Sequence, residues 1–223
     1  MVTFEDPGTW PKRDAIGASV ELTPELILHA YRHGAFPMPF APGLIGWFSP
    51  MLRGILPLGS LRVTRSLRKS ARRYSLTVDM AFDQVLARCA DPQRPHGWID
   101  AAIADAYAAL RELGFVHSIE AWDDEGRLCG GLYGVSIGGL FAGESMFHDP
   151  EHGRDASKVA LMGLVDILTG DGETGRLLDV QWRTDHLATL GVTEVPRTHY
   201  LELLRCALAL PAPDWARARL GYA

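Results

Sequence analysis

The chain has 223 residues, 47% of them hydrophobic and 22% charged, with a formal net charge of -5. That balance supports a sizeable core and argues against disorder, and no apolar run approaches the roughly 20 residues that a membrane span requires. Cys89, Cys129 and Cys206 are far apart with no CxxC pair, which points to reduced, mostly buried thiols and to neither a disulfide framework nor a thiolate zinc site.

The N-terminus, MVTFEDPGTWPKRD, lacks the basic-then-apolar order of a signal peptide, so a cytoplasmic protein is expected. Thr23 and Pro24 open a helix over ELILHAYRH, with cations in its last turn and Gly34 as the stop. Residues 35 to 52, AFPMPFAPGLIGWFSPML, are rich in Pro, Gly and aromatics and read as an irregular surface segment. Its end marks the expected boundary between a small N-terminal domain, 1–54, and a larger domain, 55–223.

Charge is unevenly spread. Residues 62 to 74, RVTRSLRKSARRY, hold six cations and no acid, which leaves 16 cations against 27 acids, a net of -11, in the rest of the chain. With Thr64 as the cap, Arg65, Lys69, Arg72 and Arg73 fall at helical spacing on one side and Val63, Leu67 and Tyr74 on another. A solvated amphipathic helix and a phosphate-binding stripe both fit this pattern.

Helices are predicted over 81–90, from Phe82, Val85, Leu86 and Cys89, and over 101–114, capped by Asp100. FVHSIEAWD, RLCGGLYGV and LFAGESMF then form an antiparallel meander with turns between them. A helix (ASKVALMGLVDILTG), a strand (RLLDVQW), a helix from Thr184 to Gly191 and a last helix near 197–209 complete the chain. This order gives an α+β class in which the larger domain resembles the N-acetyltransferase type of acyltransferase. The [QR]xxGx[GA] loop by which such enzymes hold acetyl-CoA is absent: HDPEHGRDASK stands there, with a single glycine.

Other chemistry is weakly signalled. GESMF ends in Phe147 where a nucleophile elbow needs Gly, which disfavours Ser145 as a nucleophile. Pro150 and Gly153 prevent the helix that a metal site of HExxH type would require around His148 and His152. His117 reads as a satisfied strand histidine. Glu144, at the end of the third meander strand among apolar neighbours, is the residue that most needs an explanation. Asp179 and Gln181, two apart on a predicted strand, would face the same way, as a polar pair.

HAYRHGAFPMPF, GWFSP, RVTRSLRKSARR, GWID, ELGFVHSIEAW, GGLYGVSIGGLFAGESMF, DASKVAL and DVQWRTDHLATLG together resemble, in order and over nearly the whole chain, the leucyl/phenylalanyl-tRNA-protein transferases. The resemblance implies a GNAT-like domain behind a small N-terminal domain. It also implies transfer of Leu or Phe, with Met as a further donor residue, from aminoacyl-tRNA to an N-terminal Arg or Lys of a protein, marking that protein for N-end rule degradation. No cofactor, no membrane and a monomer are implied.

Residue by residue, the resemblance gives Glu144 to recognition of the cationic acceptor, and Asp179 and Gln181 to holding and activating its amine, with Asp179 as proton acceptor or electrostatic support. It places the donor side chain among Leu132, Phe141, Met146, Leu161, Leu164 and Leu178, and the terminal adenosine against Trp98, with Tyr31 and Tyr107 as further substrate contacts. Arg65, Arg68, Lys69, Arg72 and Arg73 would hold tRNA phosphates. Met38 stands where the family has a second aromatic, and Leu164 where a member carries Phe. On the residues alone, an acetyl-CoA-dependent acetyltransferase and a non-catalytic RNA-binding module remain as rivals.

Overall fold

Helix boundaries follow the capping chemistry of the sequence. In the computed structural model, which describes residues 4–94 and 97–216, the Thr23 hydroxyl accepts from the Leu26 amide and opens α1 (Pro24–Arg32). Gly34, at φ 87°, ends it, in a backbone region that favours glycine. Thr64, Asp100 and Thr184 cap α2 (Arg65–Ala71), α4 (Ala101–Glu112) and α6 (Asp185–Thr189) in the same way. The remaining helices are α3 (Phe82–Cys89), α5 (Ala156–Thr169) and α7 (Arg197–Leu208).

The proline-rich segment is not irregular. It forms β2 (Phe36–Ala41) and β3 (Leu44–Phe48), which join β1 (Ala15–Ser19) in a three-stranded sheet of order β1-β3-β2. Pro37 and Pro39 are tolerated because β2 is an edge strand, where a missing N–H costs no ladder bond.

The larger sheet has seven strands in the order β10-β4-β9-β8-β7-β6-β5. Its centre is the expected meander, β6 (Val116–Trp122), β7 (Leu128–Ile137) and β8 (Leu140–His148), all antiparallel. β9 (Leu177–Asp179) pairs parallel to β8 after the α5 crossover, and β4 (Leu52–Ile55) lies antiparallel beyond it. β5 (Ser75–Val78) and β10 (Thr193–Pro196) are four-residue edges that the sequence reading lacks.

Two faces of this sheet carry separate cores. On one, α3, α4 and the N-terminal elements enclose Ile27, Phe36, Trp47, Phe82, Ile103 and Tyr107. On the other, α2 and α5 cover Leu67, Leu132, Phe141, Leu161 and Leu164. Cys89 and Cys129 are buried and Cys206 is exposed, all three as free thiols. No helix among the described residues is long and apolar enough to cross a membrane.

Candidate active site

Glu144 lies within β8, at a β-bulge. Gly143 pairs with Gly134 and Ser145 with Tyr133, which leaves Glu144 as the extra residue between them. A bulge turns one side chain out of the normal alternation, and here it brings a carboxylate to Tyr31, Tyr107 and Gln181. Tyr31 of α1 donates to its Oε1 at 2.6 Å, Tyr107 of α4 to its Oε2 at 3.0 Å, and the two hydroxyls lie 2.7 Å apart. Gln181 Nε2 adds a bond to Oε1 at 3.2 Å. Burial pushes the Glu144 pKa up to about 7 despite the two tyrosine bonds, which favour the charged form, and Asp179 adds to the rise. Burial and the nearby carboxylate push the Tyr31 and Tyr107 hydroxyls up as well, so both stay protonated donors.

Asp179 does not share a face with Gln181 in the way the strand pattern predicts. β9 ends at Asp179, and Gln181 sits in the left-handed region at φ 58°. The cause is local: Asp179 Oδ1 accepts from the Gln181 amide at 2.9 Å, so the side chain closes a turn on its own backbone. Arg53 of β4 grips the same carboxylate with two bonds, at 2.7 and 2.5 Å, and Tyr200 donates to Oδ2 at 2.9 Å. Arg53 is itself stacked between the rings of Phe36 and Tyr200, 4.7 and 4.3 Å from their centroids. Burial opposes its charge, but the Asp179 carboxylate holds its pKa above the usual arginine value. Each oxygen of Asp179 thus accepts two hydrogen bonds, and Gln181, one turn further on, carries its amide to Glu144.

Beside this cluster is a cavity of about 260 Å³. Leu132, Met146, Leu161 and Leu164 line it together with Glu144 and Gln181. Phe141 and Leu178 do not: they pair across β8 and β9, are almost wholly buried, and form core. Trp98 also lies outside the cavity wall, half-buried against the core beneath α4.

Leu56, Arg94, Tyr133 and His186 are among the further cavity residues that escaped the sequence reading. Arg94 bonds to the carbonyls of Cys89 and Met146, both at 2.8 Å, and to Ser145 Oγ at 3.3 Å, and it has no carboxylate partner among the described residues. Burial, then Lys158 and His148, lower the pKa of His186.

Arg65, Arg68, Lys69 and Arg72 stand exposed along α2 with no ion pair among the described residues, while Leu67 and Ala71 pack on α5. Arg73 differs: it bonds to Ser70 and to the Arg154 carbonyl and stacks over Tyr74. His117 is paired with Asp79 at 2.7 Å and stacks on Trp215, a structural setting. No group of residues suited to hold a metal ion occurs among those described.

Sequence profiles of two domains of one family match the chain: leucyl/phenylalanyl-tRNA protein transferase over residues 55–205, and its N-terminal domain over residues 20–51. A leucyl/phenylalanyl-tRNA–protein transferase of Afipia carboxidovorans is 50% identical over 206 residues, 89% of this chain and 88% of that protein. Those of Rhizorhabdus wittichii and Anaeromyxobacter dehalogenans are 49% and 43% identical, over 86% and 93% of this chain and 77% and 89% of theirs. Among solved structures, L-PGS from Bacillus licheniformis gives a TM-score of 0.40 at 10% identity, over 74% of this chain and 55% of that one. A glucosamine N-acetyltransferase region of a fungal multi-domain β-N-acetylglucosaminidase gives 0.44 at 12%, over 85% and 24%. The profile matches and the high identity over most of each chain show that the chain belongs to the leucyl/phenylalanyl-tRNA protein transferase family and is an aminoacyltransferase.

Proposed function

We propose that the chain moves Leu or Phe from aminoacyl-tRNA onto the α-amine of an N-terminal Arg or Lys of a protein, in the cytoplasm, and so marks that protein for N-end rule degradation. The observation that carries this reading is the bulged Glu144 carboxylate, bonded to Gln181 and opening on a mainly apolar cavity. The cavity takes the donor side chain, and Glu144 meets the acceptor's cation.

The reaction is aminolysis of an activated ester. The acceptor amine, with a pKa near 8 when free, attacks the carbonyl, and the ribose oxygen of the terminal adenosine leaves. Proximity within one site supplies much of the rate. Gln181 orients the amine. Asp179 acts through Gln181 as a positioning residue, because four hydrogen bonds already occupy its oxygens and leave no place for a further proton donor. This favours its role as support over that of proton acceptor.

Transfer of labelled Leu from leucyl-tRNA to a peptide beginning with Arg tests the reading, with activity expected to persist without ATP and in the presence of a chelator. Labelled acetyl-CoA acting as the donor in its place would overturn it. In the same assay Leu164→Phe narrows the cavity, and Phe transfer should fall roughly tenfold relative to Leu transfer, the scale on which apolar pockets discriminate.

The basic face of α2 is assigned to tRNA phosphates. Lys69→Ala with Arg72→Ala should weaken leucyl-tRNA binding and flatten the log–log salt slope by about 1.4 to 1.8. Unchanged affinity and slope in a filter-binding titration would return α2 to the status of a solvated face.

A further inference from the structure

Tyr31, Tyr107 and Glu144 make three oxygen–oxygen contacts: 2.6 Å from Tyr31 to Oε1, 3.0 Å from Tyr107 to Oε2, and 2.7 Å between the two hydroxyls. Each is of hydrogen-bond length, and each needs a hydrogen between its oxygens. The two tyrosines own one hydroxyl hydrogen apiece. With Glu144 ionised, two hydrogens serve three contacts, and the contact that goes without sets lone pairs against each other. Both tyrosines are buried away from bulk water.

A proton on the carboxyl supplies the third hydrogen. Glu144 then donates to one tyrosine, that tyrosine to the other, and the second to the remaining carboxyl oxygen, which closes a ring; Gln181 Nε2 still donates to Oε1. Singly, each tyrosine bond favours the ionised carboxylate; together, the contact between the hydroxyls favours the acid. The other groups around Glu144 pull both ways: Asp179 favours the proton and Arg53 disfavours it. Tyr133 of β7 and Tyr200 of α7 stay neutral, their pKa values pushed well up by burial, and Arg94 and His186 stand elsewhere in the cavity wall. Glu144 itself is only partly buried and lines the cavity, so a cation in the cavity can meet it while the tyrosines stay behind.

We propose that, before an acceptor binds, Glu144 holds a proton in a closed ring with Tyr31 and Tyr107, and that the acceptor's cation enters by displacing that proton. The exchange balances: the O–H bond of the carboxyl breaks, its electron pair stays on the carboxylate, the cation pairs with that carboxylate, and the proton passes to solvent. Resting on the transferase reading above, in which Gln181 orients the α-amine, the displacing cation is the Arg or Lys side chain. A neutral side chain leaves the proton and the ring in place. Tyr31 and Tyr107 are thus positioning residues that keep the acceptor site uncharged until the correct acceptor makes it anionic, which avoids an unpaired buried carboxylate.

The test is NMR on the full chain carrying carbon-13 at its glutamate side-chain carboxyls, with the Glu144 resonance identified by its loss in Glu144→Gln. At pH 6 that resonance should stand at the protonated position, and a low-field hydroxyl proton from the short ring bonds should be visible. An Arg peptide should move the carboxyl to its ionised position and erase the low-field proton, whereas an Ala peptide should do neither. Tyr31→Phe opens the ring and should erase the low-field proton without any peptide, a signature that a merely structural role for the hydroxyl does not produce. One proton displaced per peptide also requires the Arg peptide concentration at half-change to rise about tenfold from pH 6 to pH 5, where the α-amine is fully protonated throughout. An ionised Glu144 at pH 6 in the chain alone overturns the proposal. So does an Arg peptide that leaves the resonance in place, a half-change concentration that moves less than about twofold, or a low-field proton that survives in Tyr31→Phe. The ring is read without tRNA, so its absence in a chain that transfers Leu removes this inference only, while a chain that transfers no Leu removes the transferase reading and leaves the ring measurement standing.

Discussion

Glu144→Gln will lower kcat/KM for a peptide beginning with Arg by about a hundredfold or more, because an acceptor cation set in the cavity without its carboxylate is a buried pair with one member removed, typically about 3 to 5 kcal/mol. The substitution keeps the side-chain size, and peptides beginning with Ala should stay inert with both proteins. Parallel kinetics on Arg and Ala peptides check this, and unchanged constants for the Arg peptide would take Glu144 out of acceptor recognition. The same variant has a signature in stability. The folded pKa of about 7 lies above the unfolded value near 4.5, so the folded state binds the extra proton between these limits. Stability from this group is fully present below about pH 4.5 and is lost as pH rises through 7. Between pH 4 and pH 8, Glu144→Gln should therefore gain on the parent by about 3 kcal/mol in urea unfolding, given about 1.4 kcal/mol per pKa unit. In the proposed reaction, the cation of an Arg or Lys acceptor would offset that cost of holding a carboxylate half-buried.

Arg53→Met should be the most damaging single substitution for the fold. It leaves Asp179, with no exposed surface, as an uncompensated buried charge, a loss of about 3 to 5 kcal/mol. For a chain of this size each kcal/mol shifts the melting temperature by about 2 to 4 °C, so thermal unfolding should begin roughly 6 to 20 °C lower. Adding Asp179→Leu should recover part of the loss, since it removes the stranded charge. Transfer activity should not recover with it, because the turn that sets Gln181 depends on the Asp179 side chain. Circular dichroism melts with parallel activity assays separate the two effects. Full activity in the double variant would show that Gln181 reaches its position without Asp179.

Much of this architecture was legible because local rules agree with the global fold. Caps at Thr23, Thr64, Asp100 and Thr184 place four helix starts, and the apolar rhythm of residues 115 to 147 places the meander. Strands β1 to β5 and β10 were not legible: β2 and β3 read as loop from their prolines and glycines, and the others are strands of four or five residues with little pattern to carry.

The site divides in the same way. An acid among apolar neighbours marks Glu144 in the sequence, and the polar pair marks Asp179 and Gln181. The grip on Asp179 comes from Arg53, 126 positions away, and the bonds to Glu144 come from Tyr31 and Tyr107, 113 and 37 positions away. Such distances leave no local trace. The one available signal for Arg53 is a lone cation in the apolar run MLRGILPL, where an arginine must find a partner to be buried.

The proposed reaction joins an amino acid from tRNA to a cationic N-terminus through a peptide bond. Mass spectrometry of the product tests it most directly: peptides beginning with Arg, Lys or Ala, and an Arg peptide acetylated on its α-amine, are each incubated with the chain and leucyl-tRNA, and fragmentation locates any added mass. The Arg and Lys peptides should gain one Leu residue on the α-amine, and the Ala and acetylated peptides should remain unmodified. Leu added to the Ala peptide as readily as to the Arg peptide, or found on a side chain instead of the α-amine, would contradict the account.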